Sequence, residues 1–200
     1  DCICPLFFYR QAKPQTNAII RWSPIDEASV SMELWDLYDP DRKPLNKTHP
    51  RGTWLKEGER HIIVNIWTVN SEGNILLTLR DPHKDPWPNV WENTGGSVLA
   101  GESSLEGAVR ELAEETGILI EKDDLTLLAE KEGKHAFVDL YLVEKDVDLK
   151  DLILQEGETV DCKWVTLQEL EEMSQKELVA SPLTWQIKTL QAYFHSHANE

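Results

Sequence analysis

Three glutamates, Glu111, Glu114 and Glu115, stand at i, i+3 and i+4, the spacing that places side chains on one flank of a helix. Carboxylates held that close repel one another, and a bound cation reverses the sign. Hard cations such as Mg2+ take few carboxylates and keep positions open for water and substrate phosphates. The cluster therefore predicts chemistry on a metal-bound phosphate substrate. An acidic triplet alone is commonly a solvated face, so its weight depends on what positions it.

The positioning element is a helix with both ends written in the sequence. Ser103 followed by Glu106 is a capping box. Leu105, Ala108, Val109 and Leu112 recur at the spacing of one buried stripe. Gly117 suits a left-handed cap, and Ile118 after it suggests a Schellman closure. Gly107 inside the helix costs about 1 kcal/mol relative to alanine, which predicts a close approach there. Arg110 can reach Glu114 one turn on, or Glu102 at the helix entrance.

From Gly96 to Ile118 the chain fits G-x5-E-x7-R-E-U-x-E-E-x-G-U, with U aliphatic. The fixed positions are Gly96, Glu102, Arg110, Glu111, Leu112, Glu114, Glu115, Gly117 and Ile118. This is the Nudix box, and a motif fixed at this many positions is specific. The chain resembles a Nudix hydrolase. That resemblance implies that Glu111, Glu114 and Glu115 bind Mg2+ or Mn2+. It implies that Glu111 or a nearby carboxylate orients or deprotonates the attacking water. It also implies that Arg110 and Glu102 brace loop and helix, and that the Gly96 region offers a backbone carbonyl to the metal. The implied reaction is hydrolysis of a diphosphate linkage in a nucleoside diphosphate joined to a group X. A metal ion suits this by neutralising phosphates and lowering the pKa of bound water.

Length and composition agree with a single soluble domain. The chain has 200 residues, 40% of them hydrophobic and 28% charged, within the ordinary globular range. A net charge of −16 argues against a nucleic-acid partner yet leaves room for a nucleotide, since bound metal inverts the local potential. No run approaches the roughly 20 apolar residues that span a bilayer. The three cysteines, Cys2, Cys4 and Cys162, form no disulfide framework and suit a reducing cytoplasm. Cys162 reads as a small buried residue. The expected partner is a small diphosphate or nucleotide, with neither nucleic acid nor membrane, and a homodimer stays open.

Regular patterning begins abruptly at Met32. Residues 1–31 read as an extra N-terminal segment outside the fold, and 32–200 as the Nudix hydrolase domain. Strands are expected at 34–38, 61–69, 75–80, 125–130, 136–143 and 160–165, with 61–69 and 75–80 joined as a hairpin through Asn70–Asn74. Helices are expected at 167–173 and 182–195. The class is α/β: a mixed β-sheet sandwiched between α-helices, which is the Nudix fold by resemblance.

A looser resemblance covers most of 32–195. Trp87-Pro-Asn-Val-Trp91-Glu-Asn93, Glu158-x5-Trp164 and Ser181-Pro182 are similar to isopentenyl-diphosphate isomerases, which share the fold. Those enzymes use a cysteine and a histidine in an N-x-x-C-x-H-type run. Here that run is Asn93-Thr-Gly-Gly-Ser-Val98, without either residue. The box is also complete here and degenerate in the isomerases. Hydrolysis is the better reading, in an isomerase-like branch; isomerisation and a non-catalytic nucleotide sensor are the alternatives. Glu158, with Glu156 as its rival, is expected to supply a further catalytic carboxylate, an exposed loop acid being the equal alternative. Asp139 shares a strand face with Phe137 and Tyr141, and would either line the substrate pocket or face solvent at an edge. His49 and His61 read as structural. Arg51, Lys56 and Arg80 could bind phosphate but suit surface ion pairs. Trp87 and Trp91 could stack on a base, core packing being the safer reading. Substrate marks outside the box are missing, so a modified nucleoside triphosphate, a nucleotide sugar and an isoprenoid diphosphate all stay open.

Overall fold

Three central strands are apolar almost throughout and buried on both faces, which fixes the layers. β3 (His61–Val69) lies parallel to β8 (Ala136–Glu144) from His61↔Ala136 to Val69↔Glu144. Successive side chains point to opposite faces, so Ile62, Val64 and Ile66 face one core with Phe137, Tyr141 and Val143. Trp67, Val69, Leu140 and Leu142 face the other. The first core is closed by α1 (Ser104–Thr116) through Ala108 and Leu112. The second is closed by α2 (Leu167–Gln175) and α3 (Leu183–His197) through Leu170, Met173, Ile187 and Leu190. The result is the expected mixed sheet between helices. The computed structural model describes residues 33–197. The extra-segment expectation for 1–31, and Cys2 and Cys4 with it, lie outside the described residues.

β3 and β4 (Ile75–Arg80) meet only at Val69↔Ile75, so the expected hairpin diverges immediately. β9 (Thr159–Val165) takes one edge of β4. The segment containing β5 (Trp91–Glu92) and β6 (Thr94–Ser97) enters the gap, pairing first with Thr78 and Leu79 of β4 and then with Ile63–Ile66 of β3. This wedge splays the sheet and carries Gly95 and Gly96, the second of which opens the box, onto its face. β7 (Leu125–Glu132) completes the sheet beside β8.

A separate two-stranded sheet joins β1 (Leu34–Tyr38) to β2 (Pro44–Pro50). β2 is absent from the sequence expectation because prolines sit at both ends and its interior is polar. Such a sequence suits a strand only in an edge position. The hairpin rests on the main sheet through the Trp35 ring, which stacks on His61 at 4.0 Å between centroids. It is further held by Arg42, which bonds Asp139 at 2.9 and 2.5 Å.

Candidate active site

The α1 cap holds as the sequence requires. Ser103 accepts from the Glu106 amide, and the Glu106 carboxylate reaches back to the Ser103 amide at 2.7 Å. Gly117 is left-handed at φ 74° with its amide on the Ala113 carbonyl. The Ile118 amide turns to the Thr116 hydroxyl, so the closure is the simpler αL motif and not the expected Schellman one. Gly107 lies against β6's continuation: a Cβ there would stand 2.9 Å from Val98 Cγ2. Helix and loop therefore approach closely enough for α1 to present its acidic flank at the mouth of the wedge.

Arg110 is the hub of that flank. Its Nε donates to Glu102 Oε1 at 2.8 Å, and its Nη2 to Glu102 Oε2 and to the Ser97 carbonyl. Its Nη1 reaches both Glu111 and Glu114 at 2.9 Å. The two alternatives for Arg110 are thus both realised. Glu102 also accepts from the Leu99 amide, so one ion pair ties loop to helix. A Cβ on Gly96 would fall 2.2 Å from the Glu111 carboxyl carbon, so a larger residue there must push that carboxyl aside.

Glu111, Glu114, Glu115 and Glu158 line a cleft of about 280 Å3, with Arg51 and Lys84 among the cations at it. Lys84 pairs with Glu158, and Arg51 with Glu33 at 2.5 Å. Glu156 is exposed and off the cleft, so of the two rivals Glu158 is the one the fold brings in. Glu115 is the anomaly: it is only 9% exposed and takes part in no ion pair among the described residues. Burial pushes its carboxyl well above the usual range, reinforced by Glu92, Glu111 and Glu158 and opposed by a backbone hydrogen bond from Gly95. Burial also raises Glu111, opposed by Arg110, and Glu92, opposed by Arg80.

A NUDIX domain model matches residues 59–185. The chain belongs to the Nudix family. An uncharacterised Nudix hydrolase of Listeria monocytogenes is 38% identical over 143 residues, covering 71% of this chain and 85% of that protein. An isopentenyl-diphosphate Delta-isomerase of Salmonella arizonae is 27% identical over 142 residues, covering 67% of this chain and 77% of that protein. A Deinococcus radiodurans crystal structure matches with TM-score 0.67 at 24% identity, over 78% of this chain and 98% of that one, which shows a shared fold. The expected Nudix pyrophosphohydrolase is borne out, and the chain is an enzyme of the Nudix hydrolase class. No described helix is long and apolar enough to cross a membrane.

As the side chains stand, no three His, Cys, Asp or Glu residues among the described residues converge as metal ligands. Arg110 instead holds Glu111 and Glu114, and Lys84 holds Glu158. The donor set nevertheless fits a hard divalent cation. Its ligand atoms are carboxylate oxygens, and an uncompensated buried carboxylate costs free energy that a cation removes.

Several outlying residues of this Nudix chain fall elsewhere. Asp139 is buried, as its shared face with Phe137 and Tyr141 requires, but that face meets α1. It binds Arg42 and the Ser104 hydroxyl at the helix entrance. It is neither a pocket residue nor solvent-facing. His61 is buried against Trp35, and His49 shares a bond with Thr53 at 2.6 Å. Lys56 is exposed; Arg80 is bound to Glu92 at 2.7 Å. Trp91 packs on the core, whereas Trp87 is 43% exposed and lines a cavity beside the cleft. Cys162 is half-buried. Sequence reasoning missed Lys84, Glu92 and the wall formed by Asn65, Asn93 and Gln186. Asn65 is polar within an apolar strand, the one signal that could have flagged it.

Proposed function

We propose that this Nudix hydrolase cleaves a diphosphate bond in a nucleoside diphosphate linked to a group X, with Mg2+ or Mn2+ held by Glu111, Glu114 and Glu115. The observation that carries the reading is Glu115, buried beside other carboxylates and without an ion-pair partner among the described residues. A site that keeps a repelling buried anion is built for a cation. When bound, the metal neutralises diphosphate oxygens and lowers the pKa of coordinated water.

The remaining roles belong to the chain's own side chains. Arg110 and Glu102 hold the loop after β6 to α1, which fixes the carboxylates relative to Gly95 and Gly96. Glu158 or Glu111 accepts the proton of the attacking water, both lining the same cleft. Lys84, released from Glu158, and Arg51 offer positive charge to phosphate oxygens. We place the chain in an isomerase-like branch that hydrolyses: the 27% identity to the Salmonella arizonae isomerase supports the branch, while Asn93–Val98 lacks the cysteine and histidine an isomerase needs.

The test is phosphate and pyrophosphate release from nucleoside diphosphate derivatives, nucleoside triphosphates and isopentenyl diphosphate, with and without Mg2+ or Mn2+. Hydrolysis that requires the metal and is lost in Glu115→Gln is the expected result. Isopentenyl diphosphate converted to its allylic isomer with no phosphate released would overturn it.

A further inference from the structure

A single row of residues crosses four strands on the face that meets the start of α3. Lys131 of β7 pairs with Val138 of β8, Val138 with Ile63 of β3, and Ile63 with Ser97 of β6. Residues in register share a face of the sheet. Neighbouring strands lie about 4.8 Å apart, so three spacings put Lys131 about 14 Å from Ser97. Ser97 adjoins Gly96, which lines the carboxylate cleft. The row is thus a floor running from the cleft to the β7 edge of the sheet.

Two cavities of about 440 Å3 each lie along this floor. The inner one shares Arg80 and Gly96 with the cleft. The outer one shares Val138, Pro182 and Trp185 with the inner one. Cleft, inner cavity and outer cavity therefore adjoin in series, and each cavity is of small-molecule size.

The character of this trough changes along its length. The cleft end is rich in carboxylates, and Ile63, Leu183 and Trp87 give the middle largely apolar walls. The outer end is cationic. Lys131 and Lys188 both line it, and neither makes an ion pair among the described residues. Two such lysines stand out in a chain with 36 acidic and 20 basic residues. The reason lies in their neighbours. α3 has no Asp or Glu along its 15 residues. Glu130 and Glu132 flank Lys131 on β7, but they are bound to Arg42 and Arg60. Glu132, at the cavity's edge, is the one acid lining it. Lys131 Nζ stands 4.8 Å from the centroid of the Trp185 ring. That contact holds the ammonium at the cavity wall and leaves N–H donors for a ligand.

Two unpaired ammonium groups match a phosphate monoester, which carries about −1.5 to −2 charges at pH 7. We propose that the outer cavity is a distal phosphate subsite, where Lys131 and Lys188 hold a phosphate at the far end of the X group. The proposal rests on the pyrophosphatase reading for the place of the scissile diphosphate. It narrows X to groups that carry a phosphate of their own beyond an apolar or aromatic stretch.

Calorimetry in Mg2+ tests this without turnover. The probes are alkyl esters of methylenediphosphonate with chains of four and twelve carbons, each ending either in phosphate or in methyl. With the long chain, the phosphate-ended probe should bind about tenfold or more tighter than its methyl twin, the worth of one charged hydrogen bond. The short chain cannot reach β7. Its ratio should be one or less, because a net charge of −16 repels a further anion. In the double variant Lys131→Gln, Lys188→Gln the long-chain ratio should fall to the short-chain value. Both lysines are exposed, so the exchange keeps the fold. A long-chain ratio near one in wild type, or a tenfold ratio that survives in the double variant, overturns the proposal. A lysine-dependent ratio without metal-dependent hydrolysis of any natural diphosphate supports the subsite and sinks the pyrophosphatase reading. Metal-dependent hydrolysis with a ratio near one does the reverse.

Discussion

Replacing Glu115 by glutamine separates a structural carboxylate from a metal-holding one, because the two roles give opposite signs. Glu115 is 9% exposed, pairs with no cation among the described residues and feels Glu92, Glu111 and Glu158. In the metal-free protein the substitution removes a carboxyl that must either stay charged beside its neighbours or hold a proton the unfolded chain would release, and both cost stability. The Gln oxygen can keep the bond from Gly95, and the new NH2 group finds carboxylates around it. Loss of a poorly compensated buried charge should outweigh any imperfect amide bond, for a net gain of about 1–3 kcal/mol. For a chain of this size that is a rise of about 3–8 °C in Tm. Saturating Mg2+ should reverse the order. A ligand at a hundredfold excess over its Kd stabilises the native state by about 2.7 kcal/mol, a gain the variant largely forgoes. Thermal melts of both proteins in EDTA and in Mg2+ read this directly, alongside turnover, which should fall by orders of magnitude in the variant. If Glu115→Gln melts below wild type in EDTA, or Mg2+ leaves wild type unmoved, the reasoning from buried repulsion to metal fails.

Gly96→Ala should force the Glu111 carboxyl off its place, since the new Cβ would lie 2.2 Å from it. We expect kcat/KM to fall by about 10- to 100-fold with Tm nearly unchanged, and full activity would remove the steric account of this glycine. Asp139→Asn leaves Arg42 without its buried partner and loosens Ser104 at the entrance of α1. Urea denaturation should show a loss of about 2–4 kcal/mol, and an unchanged midpoint would refute it. His61 has its pKa lowered to about 4 by burial, only partly opposed by a backbone hydrogen bond, while the unfolded chain titrates near 6.5. Below pH 6.5 the unfolded state therefore takes up a proton that the folded state refuses. Stability from this group is present above pH 6.5 and is lost as pH falls toward 4, by about 3 kcal/mol in total. Denaturation across that window should show wild type losing that much relative to His61→Phe, and parallel curves would contradict it.

The sequence by itself determined what lies close along the chain. The capping box, the Gly117 stop, the register of Glu111, Glu114 and Glu115, and the Glu102–Arg110 tie are all set within one loop and helix. Helical geometry converts such spacings into positions with no knowledge of the rest of the molecule. β-Branched and apolar runs likewise marked the central strands, and the period-2 geometry of a strand put Asp139 on one face with Phe137 and Tyr141. What that face meets is a tertiary matter: α1 covers it, so Asp139 is an ion-pair anchor for Arg42. The same holds where partners are distant. Glu158 enters the cleft and Glu156 does not because the β9 register with β4 carries the loop's end past Lys84. Asn65 and Gln186 meet across 121 residues. Short-range physics writes itself into spacing, whereas which faces and edges meet is decided only when the whole sheet closes over its two cores.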